Sequence, residues 1–134
     1  MSNKPKHKPR RGAAIVELAL TLPVFMLIVL ASIEASSMIF LKQSLEITAY
    51  EGARIAIVPG SNKNNVQAGC QQILSARRVV YDSIKVTPAN FHKQPYGTPI
   101  RVEVTAQCAK NSVISPWFYA KKSISADVTM MKEY

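Results

Sequence analysis

Few residues of this 134-residue chain have the types and spacing that chemistry on a small molecule needs. The histidines are His7 and His92, and His7 lies in a basic N-terminal stretch, so the pair has no metal-ligand spacing. No Ser/His/Asp set, phosphate-binding loop or pair of carboxylates is evident in the sequence. The sequence therefore predicts no catalytic residues, no cofactor and no metal site.

Two further groups of reactive or aromatic side chains each leave two interpretations open. Cys70 and Cys108 could form a disulfide worth about 3–4 kcal/mol if their part of the chain is exported, or they could be two buried thiols. The run Trp117-Phe118-Tyr119 could be an exposed contact surface, or it could fold back to cap a small core.

A basic leader precedes the longest apolar stretch of the chain. Residues 1–12 carry five Lys or Arg, and residues 13–41 follow with only Glu17 and Glu34 as charged side chains. As a helix, residues 13–41 would span about 44 Å, more than the roughly 30 Å of a hydrocarbon core. The leader cations predict a cytoplasmic N-terminus for this transmembrane helix. Because the leader holds much of the net charge of +9, the charge does not indicate nucleic-acid binding.

Helical character continues beyond the predicted span. Residues 42–58 place small and apolar side chains at i, i+3 and i+4, which predicts a helix extension. Pro23, inside the span, predicts a bend and not a break, because neighbouring groups can satisfy the freed carbonyl. Pro59-Gly60 ends the helix and opens an exported domain over residues 59–134.

The exported domain is predicted to contain one helix and three strands. Asn64 or Asn65 would cap a helix over 66–77. Alternating apolar and polar side chains, or β-branched runs, predict strands over 79–87, 100–108 and 123–131. The predicted fold class is α+β, with a long N-terminal transmembrane helix, a short second helix and a small antiparallel three-stranded sheet.

Two blocks of the sequence resemble a known family. The first, RRGAAIVELALTLPVFMLIVLASIE, has a basic leader, Gly12, an apolar helix and Glu17 as the fifth residue after the glycine, as in type IV prepilins. With the second block, TAYEGARIAIV, it resembles the TadE-like pseudopilins of tight-adherence pilus systems. Tyr50 stands where arginine is frequent in that family. The resemblance is strong over residues 10–58 and extends to residues 59–134 only in layout, which is pilin-like.

The resemblance implies proteolytic processing. A prepilin peptidase, a membrane aspartyl enzyme, would cut the Gly12–Ala13 bond at the cytoplasmic face. Glycine has no side chain, so an extended backbone can enter a tight active site there. A glutamate costs about 2.5–3.5 kcal/mol at the membrane centre, so Glu17 needs a partner. The family implies the freed amine of Ala13, in a neighbouring subunit or in the same chain.

Further residues are candidates for assembly contacts, and each also has a simpler explanation. Glu34 either contacts a partner or lies at the membrane–water interface on the far side of the spanned membrane. Glu51 and Arg54 are either a surface ion pair at i, i+3 or part of an assembly surface. Gly52 would allow a close helix approach, and Pro23, at the predicted bend, is a further candidate.

The resemblance predicts a structural role. The chain would be a minor pilin-like subunit (pseudopilin) or assembly factor of a tight-adherence (Tad/Flp) pilus, in the bacterial inner membrane, with its domain periplasmic or extracellular. Its partners would be the membrane, a prepilin peptidase, other pilin-like subunits and the pilus assembly machinery, and entry into the fibre stays open. The alternative is an unprocessed, single-span anchor that displays a binding module to the periplasm or exterior.

Overall fold

The computed structural model describes residues 11–114 and 116–133, and these form two compact units divided between Ile33 and Glu34. The predicted leader, residues 1–12, lies mostly outside the described residues. The elements are α1 (Arg11–Ile57), α2 (Lys63–Ala76), β1 (Ser83–Thr87), a 3₁₀ turn (Phe91–Lys93), β2 (Pro99–Gln107), the one-turn helix α3 (Cys108–Asn111) and β3 (Ser123–Met131).

The first unit contains the N-terminal part of α1. Every side chain from residue 12 to residue 33 is exposed, and most of them are large and apolar. Pro23 lies inside the helix without ending it. The helix is long and apolar enough to cross a membrane, which fits a single-pass membrane protein.

The second unit begins at Glu34 and contains a three-stranded antiparallel sheet in the order β1-β2-β3. Val102 of the central strand lies opposite Val86 of β1 and Val128 of β3. The inward positions of β2 are fully buried, and they are Ile100, Val102, Val104 and Ala106. The alternation predicted for this strand is therefore correct, and the α+β fold class is confirmed.

The rest of α1 supplies one face of this core. Its buried apolar residues recur every three or four positions from Met38 to Ala56, as one face of a helix requires, and Ile57 adds one more at the helix end. They are Met38, Leu41, Leu45, Ala49, Ala53, Ala56 and Ile57. The buried polar residues Ser44 and Thr48 are satisfied within the helix, since their hydroxyls donate to the carbonyls of Phe40 and Ser44. Residues 34–57 thus form the core helix of the second unit.

Two predicted boundaries are wrong. Helix α2 begins at Lys63 because Asn62, and neither Asn64 nor Asn65, is its N-cap, with the Asn62 side chain accepting from the Asn65 N–H at 3.0 Å. Strand β1 begins at Ser83 and not at residue 79. Arg78 has a φ of 56° and directs the chain out of α2 into a turn, so residues 79–82 lie outside the strand, although the Asp82 N–H donates to the Thr105 carbonyl of β2 at 2.8 Å.

The proline-rich loop between β1 and β2 contributes to the core in a way that its composition does not indicate. Phe91, in the 3₁₀ turn, is fully buried. Directly after β3, the Lys132 ammonium donates to the carbonyls of Phe91, His92 and Gln94 at 3.1, 3.1 and 2.7 Å. Lys132 thus fixes the loop backbone around the buried ring.

Candidate processing and assembly sites

The predicted cleavage junction lies in the first turns of α1. Gly12, Ala13 and Glu17 are exposed, and a Cβ added at Gly12 meets no described atom within 4 Å. The described fold therefore does not require glycine at this position. The Gly12–Ala13 bond lies in the first turn of the helix, where hydrogen bonding is incomplete and helices fray.

The second sequence block lies in the second unit. It contains a surface ion pair, Glu51 with Arg54, and a closely packed glycine, Gly52. Arg54 donates to both carboxylate oxygens of Glu51, at 2.9 and 2.6 Å, and the Arg54 side chain is 63% exposed. The two residues therefore form the surface ion pair at i, i+3 that is one of their two interpretations. Such a pair contributes a few tenths of a kcal/mol in isolation.

Gly52 lies where α1, α2 and β2 meet. A Cβ added there would be 2.7 Å from Cys70 Sγ and 3.1 Å from Val102 Cγ1, so a larger side chain would require the three elements to shift. The predicted close approach at Gly52 is thus present within one chain. Sequence reasoning missed Gly69 on α2, where a Cβ would overlap the side chain of Ile55. The sequence signal for this close packing was that Gly69 directly precedes Cys70, which was predicted to face inward.

Glu34 has a contact that neither interpretation of the sequence included. It is 6% exposed, and its Oε1 accepts hydrogen bonds from the backbone N–H groups of Trp117, Phe118 and Tyr119 at 3.1, 2.9 and 3.0 Å. Three consecutive N–H groups directed at one carboxylate oxygen form an anion-binding nest. The N-terminal residue of the second unit is thus tied to the loop between α3 and β3.

Each of the two interpretations of the aromatic run is correct for part of it. The side chains of Trp117 and Phe118 are 72% and 64% exposed, and their ring centroids lie 5.7 Å apart. Tyr119 is partly buried and packs against the core. Two of the three aromatic side chains therefore form a surface, and one belongs to the core.

Comparison with known families connects these features. Residues 12–54 match the model of the family described as TadE-like protein. The chain carries a TadE-like segment. The matched range begins at Gly12, contains Glu17 and Glu34, and ends at Arg54, so the predicted resemblance is confirmed and relates the chain to tight-adherence pili. No curated protein and no solved structure matches the chain.

The TadE-like segment includes Gly52 but neither cysteine, and both cysteines are buried free thiols. Cys70 Sγ and Val102 Cγ1 both lie beside Gly52, and β2 continues from Val102 for about 16 Å to Gln107 before Cys108 begins α3. Cα atoms joined by a disulfide are usually closer than about 7 Å, so this geometry does not favour the pairing, which stays a prediction. Burial raises the pKa of the Cys70 thiol to about 11, and burial also raises the pKa of Cys108.

The described residues contain no group of three or more His, Cys, Asp or Glu side chains that could hold a metal ion. His92 is exposed on the 3₁₀ turn, in an edge contact with Phe91. Asp82 and Asp127, on the sheet side of the second unit, pair with Lys110 and Arg101 at 2.9 and 3.1 Å. These acidic side chains form surface ion pairs and contribute no recognisable chemical site.

Proposed function

We propose that this protein is a minor pilin-like subunit or assembly factor of a tight-adherence pilus, processed by a prepilin peptidase between Gly12 and Ala13. One observation carries the proposal. The TadE-like match begins at Gly12 and continues through a helix whose residues 12–33 are all exposed and mostly apolar. A long, exposed, apolar helix is suited to lipid or to the helices of other subunits and not to water.

The lipid-facing part of the helix is shorter than the sequence suggested. Met38 and Leu41 are buried in the core of the second unit, so they are not available to lipid. Residues 13–33 alone would span about 31 Å, close to the roughly 30 Å of a hydrocarbon core. We therefore place the lipid-facing segment at residues 13–33, with the extended part of α1 belonging to the domain outside.

Processing would give Glu17 a partner. Cleavage frees the Ala13 amine and removes the five cations of the leader, which would otherwise hold the helix end at the cytoplasmic surface. A carboxylate near an apolar helix surface is costly unless it is paired, and an ammonium group at the start of an adjacent subunit is a suitable partner. This pairing would set the axial register between packed helices.

The decisive experiment is the N-terminal residue and intact mass of the full chain, extracted from membranes of cells that contain a prepilin peptidase. We expect an N-terminal Ala13. Gly12→Arg should abolish processing without disturbing the described fold, because a side chain at this position meets no described atom. Asn3→Arg adds the same charge elsewhere in the leader and should leave processing intact.

The result also separates the alternative function. An N-terminus at Met1 or Ser2 in the wild-type chain, with peptidase activity verified on another substrate, would contradict the pilin route. The chain would then be an unprocessed single-span anchor for an exported binding module. Equal loss of processing in Gly12→Arg and Asn3→Arg would indicate a charge effect on insertion and not recognition of the glycine.

A further inference from the structure

The loop held by Glu34 lies next to the end of the proposed lipid-facing segment, residues 13–33. Glu34 directly follows Ile33 in the chain, so its three hydrogen bonds tie residues 117–119 to the first residue after the proposed lipid-facing segment. Because Glu34 is covalently bonded to Ile33, the loop that it holds lies close to the point where the chain leaves the lipid.

The exposed side chains of this loop are those that membrane interfaces favour. Trp117 and Phe118 are large, aromatic and mostly exposed, and an exposed apolar patch normally marks a binding surface. Lys121 and Lys122 follow within the same connection, and both are exposed, with the Lys122 ammonium 5.2 Å from the centroid of the Tyr119 ring. Aromatic rings at headgroup level, with lysines beside them, are typical of the membrane–water interface.

We propose that the Trp117–Phe118 loop is a lipid-binding element that enters the interfacial layer of the outer leaflet and fixes the height of the sheet domain above the membrane. Trp117 and Phe118 contact the upper acyl chains, and Lys121 and Lys122 face anionic lipid phosphates. Glu34 is a positioning residue, because it touches no lipid and acts by holding the loop backbone. This inference depends on membrane insertion of residues 13–33 but not on cleavage at Gly12.

The opposite end of the second unit provides the contrast. There the Glu133 N–H donates to the Ile57 carbonyl at 3.3 Å, and the Gly97 N–H donates to the Lys132 carbonyl at 3.1 Å. Ile57 lies about 35 Å along α1 from Glu34. Tyr96, which is 64% exposed beside Gly97, is therefore an aromatic side chain of similar exposure far from the Glu34 end.

Trp117 is the single tryptophan of the chain, so its fluorescence reports on this loop alone. The full-length protein is reconstituted into vesicles of phosphatidylcholine with phosphatidylglycerol as the minor lipid, with part of the phosphatidylcholine brominated in the upper acyl chain. The control variant, Trp117→Phe with Tyr96→Trp, keeps one tryptophan but moves it to the other end of the unit. Flotation of the vesicles after an alkaline carbonate wash verifies membrane insertion in both cases.

We expect brominated lipid to quench Trp117 emission by about twofold, as it should for a ring at headgroup level, and to leave the Tyr96→Trp control nearly unquenched. Equal and negligible quenching of both proteins, with both floating, would overturn the inference and leave the membrane anchor intact. Shielding of Trp117 from acrylamide without quenching by brominated lipid would indicate a protein partner, which also overturns it. A chain that fails to float would contradict both this inference and the proposed membrane span.

The role of Glu34 is tested in the same vesicles. Glu34→Ala should remove most of the brominated-lipid quenching of Trp117, because the loop loses its three hydrogen bonds to the helix. The rate of Cys70 alkylation serves as the folding control, since this thiol is fully buried in the folded unit. Unchanged quenching in a Glu34→Ala protein whose Cys70 stays protected would remove Glu34 from the proposal.

Discussion

The two parts of α1 belong to one continuous helix but have opposite relations to their surroundings. Residues 12–33 are exposed on every side and apolar on nearly every side, whereas residues 34–57 have one buried stripe of apolar and small side chains. The first pattern is that of a helix surrounded uniformly by lipid or other helices, and the second is that of a helix covering a sheet. The amino-acid sequence thus changes the environment of the helix without interrupting its backbone.

The transition between the two parts occurs at Glu34. Upstream, apolar side chains contribute little to any internal core, and downstream the buried apolar side chains of α1 form part of the core of the second unit. Leucine at position 27 is 52% exposed, whereas leucine at position 45 is completely buried. Substitutions of identical chemistry should therefore have different consequences on the two sides of Glu34.

The largest difference in stability is expected between Leu45→Ala and Leu27→Ala. Removing the buried Leu45 side chain should lower the free energy of unfolding of the second unit by about 2–5 kcal/mol, because a cavity remains in the core. Leu27→Ala should change this free energy by less than about 0.5 kcal/mol. Denaturant-dependent alkylation of Cys70 in detergent measures both, and equal effects would contradict the division at Glu34.

A charged side chain should have its larger effect in the first part of α1, and the quantity affected should be membrane insertion and not the stability of the second unit. Leu27→Arg should impair membrane insertion by about 2.5–3.5 kcal/mol and leave the folded second unit intact, because position 27 lies near the middle of the proposed lipid-facing segment. Gln43→Arg adds the same side chain at an exposed position of the second part and should insert normally. The membrane-bound fraction after carbonate extraction checks both variants, and similar fractions would argue against a span at residues 13–33.

Gly52→Ala should destabilise the second unit by about 1–3 kcal/mol, since the new methyl group would approach Cys70 Sγ and Val102. Cys70→Ala in the same chain should restore part of the loss by removing the sulfur atom. Chemical unfolding of the four proteins of this double-mutant cycle measures the coupling. Additive effects would show that the contact between Gly52 and Cys70 does not limit the packing.

Stability should fall as the pH rises from about 9 to about 11. The pKa of Cys70 is raised to about 11 in the folded unit from an ordinary value near 9, so the unfolded chain loses this proton first and is favoured over that interval. The expected loss is on the order of 2 kcal/mol, and it should be absent from Cys70→Ala. Titration of the unfolding free energy checks this, and an equal decline in Cys70→Ala would assign the effect to other groups.

The smallest effect is expected at the surface pair. Glu51→Gln should lower the free energy of unfolding by less than any of the core substitutions above, because the Arg54 guanidinium is exposed and the pair is screened by water and salt. The same chemical unfolding measurement applies. If Glu51→Gln leaves stability unchanged but reduces recovery of the chain in pili, the pair has an assembly role beyond its local contact.

Much of the fold could be predicted because its patterns are local. Alternation along residues 100–107, small residues at helical spacing in α1, and Pro59-Gly60 each determine their elements through neighbours in the chain. The contacts of Glu34, Phe91 and Lys132 could not be predicted, because each joins segments far apart in sequence through backbone groups that every residue possesses. The start of β1 was missed because the positive φ of Arg78 outweighs the strand preference of Val79 and Val80.

The order of the elements along the chain also has a consequence in time. The buried stripe of α1 is synthesised long before β2 and β3, the strands that complete the core around it. At about 5–20 residues per second, Leu45 precedes Met131 by roughly 4–17 seconds of translation. During this interval the stripe has no sheet to cover it, so its apolar side chains stay unprotected until β2 and β3 have been made.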